Sequence, residues 1–115
     1  MEMNKTYRLT RREDFSHIYR HRKSTANHQF VVYYKKDHRN EHFRLGVSIS
    51  KKVGNAVVRN LLKRRVKEIV WSMKEEIKPG YDFILIVRKP ATEQDFHAIK
   101  KSVHHVLKRA GIIKR

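Results

Sequence analysis

The chain has 115 residues, 28 of them Lys or Arg against 11 Asp or Glu, for a formal charge of +17 with histidine neutral. One domain is expected at this length, and with no cysteine there is no disulfide framework, thiolate zinc site or cysteine nucleophile. The longest stretch free of charged residues, Ser24 to Tyr34, falls short of the roughly 20 residues a bilayer-crossing helix needs. The opening MEMNKTYRLTRRED lacks the apolar core of a secretory signal, so a cytoplasmic location is expected. Seventeen excess positive charges repel one another in the free protein. The expected partner is a polyanion, nucleic acid ahead of an anionic membrane surface, and plain solubility is the alternative.

In chain order, a first helix is predicted from Thr10 to about Lys23. Thr10 with Glu13 matches a capping box, and Phe15, Ile18, Tyr19 and Arg22 recur at helical spacing. Phe30 to Tyr34 (FVVYY) and Phe43 to Ser50 (FRLGVSIS) read as strands, with KKDHRNEH between them as a hairpin loop or frayed strand ends. A short extra strand fits near Ser24 to Asn27. Gly54 and Asn55 in KKVGN then mark a turn and an N-cap, opening a long helix from Ala56 to about Ile77, closed by Pro79-Gly80. Tyr81 to Arg88 (YDFILIVR) reads as a buried strand, apolar on both faces from Phe83 to Val87. Thr92, Gln94 and Asp95 open a last helix through Ile99, Val103, Val106 and Leu107, which stops near Gly111. There is no repeat and no linker, so residues 1–115 form a single domain. The order predicts an α+β fold, with helices packed on a small mixed sheet.

Between Lys51 and Lys67 stand Lys51, Lys52, Arg59, Lys63, Arg64, Arg65 and Lys67, and no acid. On a wheel of about 100° per residue, Val58, Leu62, Val66, Ile69, Met73 and Ile77 form a stripe expected to face the sheet. Asn60, Lys63, Arg64, Lys67, Trp71 and Lys74 form another, rotated well away from it. Arg59 falls at the edge between them, and Arg65 on the other flank near Glu68. A solvated charged face explains most such runs. Three features count against it here. The face carries one sign over several turns, with Lys63 and Lys67 repelling at i,i+4. The helix begins after a glycine, where free N–H groups and the dipole favour phosphate. Asn60 among the cations suits hydrogen bonding to sugar or phosphate.

Phe15 and Tyr19 share a face of the first helix, whereas Tyr33 and Tyr34 point to opposite sides of their strand. Unpaired bases stack on such rings, contributing about 1–3 kcal/mol each. Tyr19 and one of the adjacent tyrosines fit that role best, because a phenol tolerates a wet surface; for Phe15 a core role is about equally good. Phe30 and Phe83 are assigned to the core. Trp71 projects away from the apolar stripe, to cover a surface edge or meet a partner. The eight histidines raise a metal or nuclease reading. His17 and His21 are spaced as a ligand pair, but nothing nearby completes a site. His104 and His105 point in different directions on a helix, and the carboxylates form no two-metal cluster. No protein-borne active site and no metal site are expected.

SKKVGNAVVRNLLKRRVKE, from Ser50 to Glu68, closely resembles the bacterial ribonuclease P protein subunit family. The resemblance extends to RLTRREDFSHIYRH, ANHQFVVYY, FRLGVSISKK and ILIVRKPA with the terminal amphipathic helix, and so covers nearly the whole chain. One departure stands out: the family's Arg-Asn-Arg signature is here Arg59-Asn60-Leu61. Leu61 cannot take the third residue's ionic role, although Lys63, Arg64 and Arg65 keep the local charge high.

The resemblance implies a two-layer α/β sandwich of the ribosomal protein S5 domain 2-like type, with a left-handed β-α-β crossover where most crossovers are right-handed. It implies the protein subunit of a ribonucleoprotein endonuclease that removes the 5′ leader from precursor tRNA. The RNA subunit would carry the catalysis with Mg²⁺, held mainly by that RNA. Lys51, Lys52, Asn55, Arg59, Asn60, Lys63, Arg64 and Lys67 fall on the basic helix and the turn before it; the resemblance implies contact there with the catalytic RNA. Phe15, Tyr19 and Tyr33 match aromatics of a cleft for the single-stranded leader, with Arg11 beside it, which selects Tyr33 over Tyr34. The family's second Phe on the first helix is Tyr19 here, a ring that still stacks. One protein per RNA and no membrane partner are expected. The competing classes are a structural RNA-binding protein of ribosomal type and a self-sufficient nuclease.

Overall fold

The computed structural model describes residues 5–37 and 39–114; His38, in the segment expected to be a loop, lies outside the described residues. Helix α1 spans Arg12–His21, strands β1, β2 and β3 span Ser24–Ala26, Phe30–Lys36 and Arg44–Ile49, helix α2 spans Ala56–Ser72, strand β4 Tyr81–Val87 and helix α3 Phe96–Arg109. The strands form one mixed sheet in the order β1-β2-β4-β3. β4 runs antiparallel to β2 and parallel to β3. β4 thus lies between two neighbours and carries apolar residues on both faces, as its sequence predicts.

The segment between β2 and β3 is not a hairpin loop, because β4 is inserted between the two strands. That segment instead wraps the start of β4: Asp37 N–H donates to Gly80 O (2.6 Å) and Gly80 N–H to His42 O (3.4 Å). The Thr10 capping box does not form either. Leu9 N–H is held by Leu45 O at the edge of β3 (2.9 Å). The cap is Arg11, extended and without a side-chain hydrogen bond, while Glu13 and Asp14 stand in the first turn. The helix ends at Arg22, whose φ of 62° is left-handed. α2 also stops earlier than expected. The chain tightens to a 3-10 turn over Lys74–Glu76, and Ile77 pairs with Ile113 in an isolated bridge. Two other caps form as read: Asn55 Oδ1 accepts from Val58 N–H (3.0 Å) and Asp95 Oδ1 from Ala98 N–H (2.9 Å). Each such cap contributes about 1 kcal/mol.

Two apolar clusters lie on opposite faces of the sheet. The larger one packs Phe30, Val32, Leu45, Phe83, Leu85 and Val87 beneath α2 and α3, and Phe30 and Phe83 are fully buried in it, as assigned. From α2 it takes Leu62, Val66, Ile69 and Val70, followed by Met73 at the C-cap and Ile77. Val58, expected in this stripe, is instead exposed at the helix start, beyond the reach of the sheet. Trp71 covers an edge: its ring meets Tyr7 edge-on at 5.0 Å, and Lys74 Nζ lies 4.1 Å from its centroid. The smaller cluster, Leu9, Ile18 and Ile84 with Phe15, Tyr19, Tyr33 and Ile86, lies under α1.

Candidate nucleic-acid interface

The register of the sheet builds the smaller face row by row. Tyr33 on β2 lies opposite Ile84 on β4, and Ile84 opposite Gly46 on β3. The next row is Val31, Ile86 and Ser48; the row on the other side is Lys35, Asp82 and Arg44. α1 packs on β2 and β4 and covers only part of this face. Val31, Tyr33, Ser48 and Ile86 all stay partly exposed, and they form the floor of a cleft beside α1.

The three aromatics expected to act together are brought together. The Tyr19 and Tyr33 rings meet edge-on with centroids 4.9 Å apart. Burial pushes the Tyr19 phenol above its ordinary pKa, despite a hydrogen bond with Ser48 that pulls it down. Tyr33 and Tyr34 do split between the faces: Tyr34 packs on the larger cluster, 6.5 Å from the Tyr81 ring. Arg11 is exposed at the head of α1, where its carbonyl accepts from Phe15 N–H (3.4 Å).

Phe15 reaches its place because Gly46 has no side chain. A Cβ on Gly46 would lie 2.6 Å from Phe15 Cζ. A glycine inside a strand is the sign of such a close approach, so Gly46 was findable in FRLGVSIS. Ser48, Ile84 and Ile86 follow from the strand register alone. Gly46→Ala should push the Phe15 ring out of its seat and destabilise the fold by about 1–3 kcal/mol. Urea unfolding checks this, and in a Phe15→Ala background most of that added cost should vanish.

The second surface is the solvent side of α2 with the turn before it. Lys51, Lys52, Asn55, Asn60 and Arg64 are exposed, while Lys63 and Lys67 are half-buried. Two of the expected contact residues also hold the turn itself. Asn55 caps the helix, and Arg59 Nε donates to Gly54 O (3.1 Å). β3 and β4 are parallel, and Ile49 lies opposite Val87, so the Lys51-Lys52 turn and Arg88 leave the sheet at the same end. Arg88 was not singled out in the sequence; its guanidinium donates to Asn27 O (3.0 Å). The two faces therefore approach each other at one end of the sheet.

The histidines are dispersed. His17 and His21 are exposed on α1. His104 Nε2 is 3.5 Å from Glu76, and His105 Nδ1 is 3.2 Å from Asn27 Nδ2. Among the described residues, no three His, Asp or Glu gather as a metal-binding group, and no helix is long and apolar enough to cross a membrane.

Known proteins share this fold. A family model described as Ribonuclease P matches residues 3–111. The ribonuclease P protein component of Macrococcus caseolyticus is 50% identical over 114 residues, 98% of this chain and 98% of that relative. Its counterpart from Listeria welshimeri is 46% identical over 113 residues, 98% of this chain and 95% of the relative. Among solved structures, an RNase P protein from Staphylococcus aureus superposes with a TM-score of 0.86 at 44% identity, covering 94% of this chain and 98% of that one. The RNase P protein from Thermotoga maritima gives 0.81 at 37% identity, covering 89% and 96%.

Proposed function

The chain belongs to the Ribonuclease P family, and from that premise we propose that it joins two RNAs, the catalytic RNA of ribonuclease P and the 5′ leader of precursor tRNA. As a protein subunit of ribonuclease P it is a tRNA-processing component. The observation that carries the finer reading is the gathering of Phe15, Tyr19 and Tyr33 on the sheet face that α2 and α3 leave open.

Each surface suits a different RNA. The cleft offers rings for stacking and phenols for hydrogen bonding, which suits unpaired nucleotides; Arg11, exposed at the head of α1, is assigned to a leader phosphate. Lys51, Lys52, Asn60, Lys63, Arg64 and Lys67 offer point charges and forks along one helix, which suits the backbone of a structured RNA. Asn55 and Arg59 hold the turn that presents them. Neutralising phosphates on both RNAs lowers their mutual repulsion at the point where leader and catalytic RNA meet. In this reading the chain supplies no acid, base or nucleophile. Mg²⁺, held mainly by the RNA, would supply the Lewis acid for hydrolysis of the phosphodiester, and the assembly would work in the cytoplasm with one protein per RNA.

Reconstitution tests this reading. The protein added to a bacterial ribonuclease P RNA at near-physiological Mg²⁺ should restore 5′ maturation of precursor tRNA. Cleavage by the protein without RNA would reject the division of labour. RNA binding with no preference for leader-bearing over mature tRNA would leave only a structural RNA-binding protein. Arg64→Ala should weaken assembly with the catalytic RNA and flatten its salt dependence. Each lost phosphate contact removes about 0.7–0.9 from the log–log slope, and a titration from low to moderate salt measures that.

A further inference from the structure

Among the described residues, three of the four exposed large apolar side chains stand within five residues of one another, at the head of α2: Val57 is 77% exposed, Val58 36% and Leu61 40%. Single exposed apolar residues need no explanation, but a cluster does. Val58 is accounted for locally, because it folds back into the space left by Gly54, where a Cβ would lie 2.9 Å from its methyl group. Val57 and Leu61 have no such seat. They are i,i+4 neighbours, and Arg64 continues their line about a turn further on. Leu62, Val66, Ile69 and Met73 are the buried side of the helix, so at about 100° per residue the Val57–Leu61 ridge faces almost directly away from the sheet. Neither side chain belongs to either apolar cluster of the fold.

We propose that the Val57–Leu61 ridge is an apolar contact to the catalytic RNA, seated on the face of an unstacked base or ribose between flanking phosphate contacts. This rests on the assignment of α2 to that RNA. The charge around the ridge selects the occupant. Seven basic residues lie between Lys51 and Lys67, and the first acid, Glu68, falls on the ridge's line only two turns beyond Leu61, so whatever covers the head of the ridge must also meet a positive field. A second copy of a +17 chain is repelled by that field. RNA supplies both kinds of partner: phosphates for the cations, and base or sugar faces for the methyl groups. The ridge also gives Leu61, the departure from Arg-Asn-Arg, a contact of a different kind. Affinity there comes from apolar area removed from water, not from counterion release.

The two kinds of contact separate in a salt titration. The double variant Val57→Ala/Leu61→Ala should bind a bacterial ribonuclease P RNA roughly tenfold more weakly, as expected for two partly buried aliphatic side chains, with an unchanged log–log salt slope. Leu61→Arg should instead steepen the slope by about 0.7–0.9. Both sites are on the surface, so circular dichroism and thermal unfolding should match the unsubstituted protein. An unchanged affinity, or a double-variant slope that flattens like that of Arg64→Ala, would overturn the ridge contact. So would an equal loss of binding to poly-glutamate, which points to an acidic protein, or RNA-free dimers in sedimentation that the double variant abolishes. Failure of the unsubstituted protein to bind this RNA would overturn the α2 assignment itself, a result distinct from the ridge-specific failures.

Discussion

Asp82→Ala should destabilise the fold by about 3 kcal/mol, at the lower end of what breaking a buried pair costs. Asp82 is 6% exposed and lies in register between Lys35 and Arg44. Arg44 grips it with both arms of the guanidinium, Nε to Oδ1 at 2.9 Å and Nη2 to Oδ2 at 2.7 Å, and Asn40 Nδ2 donates to Oδ1 at 2.9 Å. Removing the carboxylate leaves a half-buried guanidinium and an amide without their acceptor, in a chain already strongly positive. Converting both partners to apolar residues, as in Asp82→Leu/Arg44→Met, should cost less than Asp82→Ala alone, because no charge is stranded. Urea unfolding of the three proteins checks the order. Asp14, His17 and Ile18 of α1 line the same hollow, so loss of the pair should also loosen α1 over the cleft. Faster hydrogen exchange in α1 than in α3 would report that.

Asp82 shows where sequence reasoning stops. A lone acid inside YDFILIV is a visible anomaly, but its partner lies 38 residues earlier, and only the strand order brings the two together. The same long-range pairing explains the missing hairpin: β2 and β3 are neighbours in sequence, and β4 enters between them from far down the chain. Local rules worked where the interaction is local. Asn55 and Asp95 cap as read, Gly111 ends α3 with φ 77°, and alternation put Tyr33 and Tyr34 on opposite faces. Periodicity alone could not end α2 correctly. Met73 and Ile77 are buried either way, and it is pairing with Ile113 that draws Ile77 into an extended conformation. The Thr10 signal failed for a tertiary reason too, since β3 holds Leu9 extended and the helix begins after Arg11.

The site was legible to a similar degree. Charge and helical spacing identify the basic face without any fold, whereas the aromatic cleft needs the sheet. Phe15 and Tyr19 are visibly paired on a helix, but Tyr33 joins them only through the packing of α1 on β2. Gly46 then sets how closely the helix can approach. The cleft is thus a product of the core: the residues that seat α1 also decide where its rings stand over the sheet.

Tyr33→Ala should weaken binding of leader-bearing precursor tRNA to the reconstituted holoenzyme by about 5- to 150-fold, the range for one lost base-stacking contact of about 1–3 kcal/mol, and leave mature tRNA unaffected. Tyr19→Ala should act in the same direction. The Tyr19 and Tyr33 rings touch edge-on at 4.9 Å, so each holds the other's orientation. Truncating one already loosens its neighbour, and the double variant should lose less than the sum of the two single losses. Tyr33→Phe should bind nearly normally, since stacking needs the ring and not the hydroxyl. Tyr19→Phe should show a small loss, because it also gives up a phenol able to hydrogen-bond to RNA. Equilibrium binding of precursor and mature tRNA by the four variants and the double variant reads all of this. Equal losses for both tRNAs would place the aromatics in the fold or in the catalytic-RNA interface and not on the leader, and strict additivity would mean that the rings act on separate nucleotides without supporting each other.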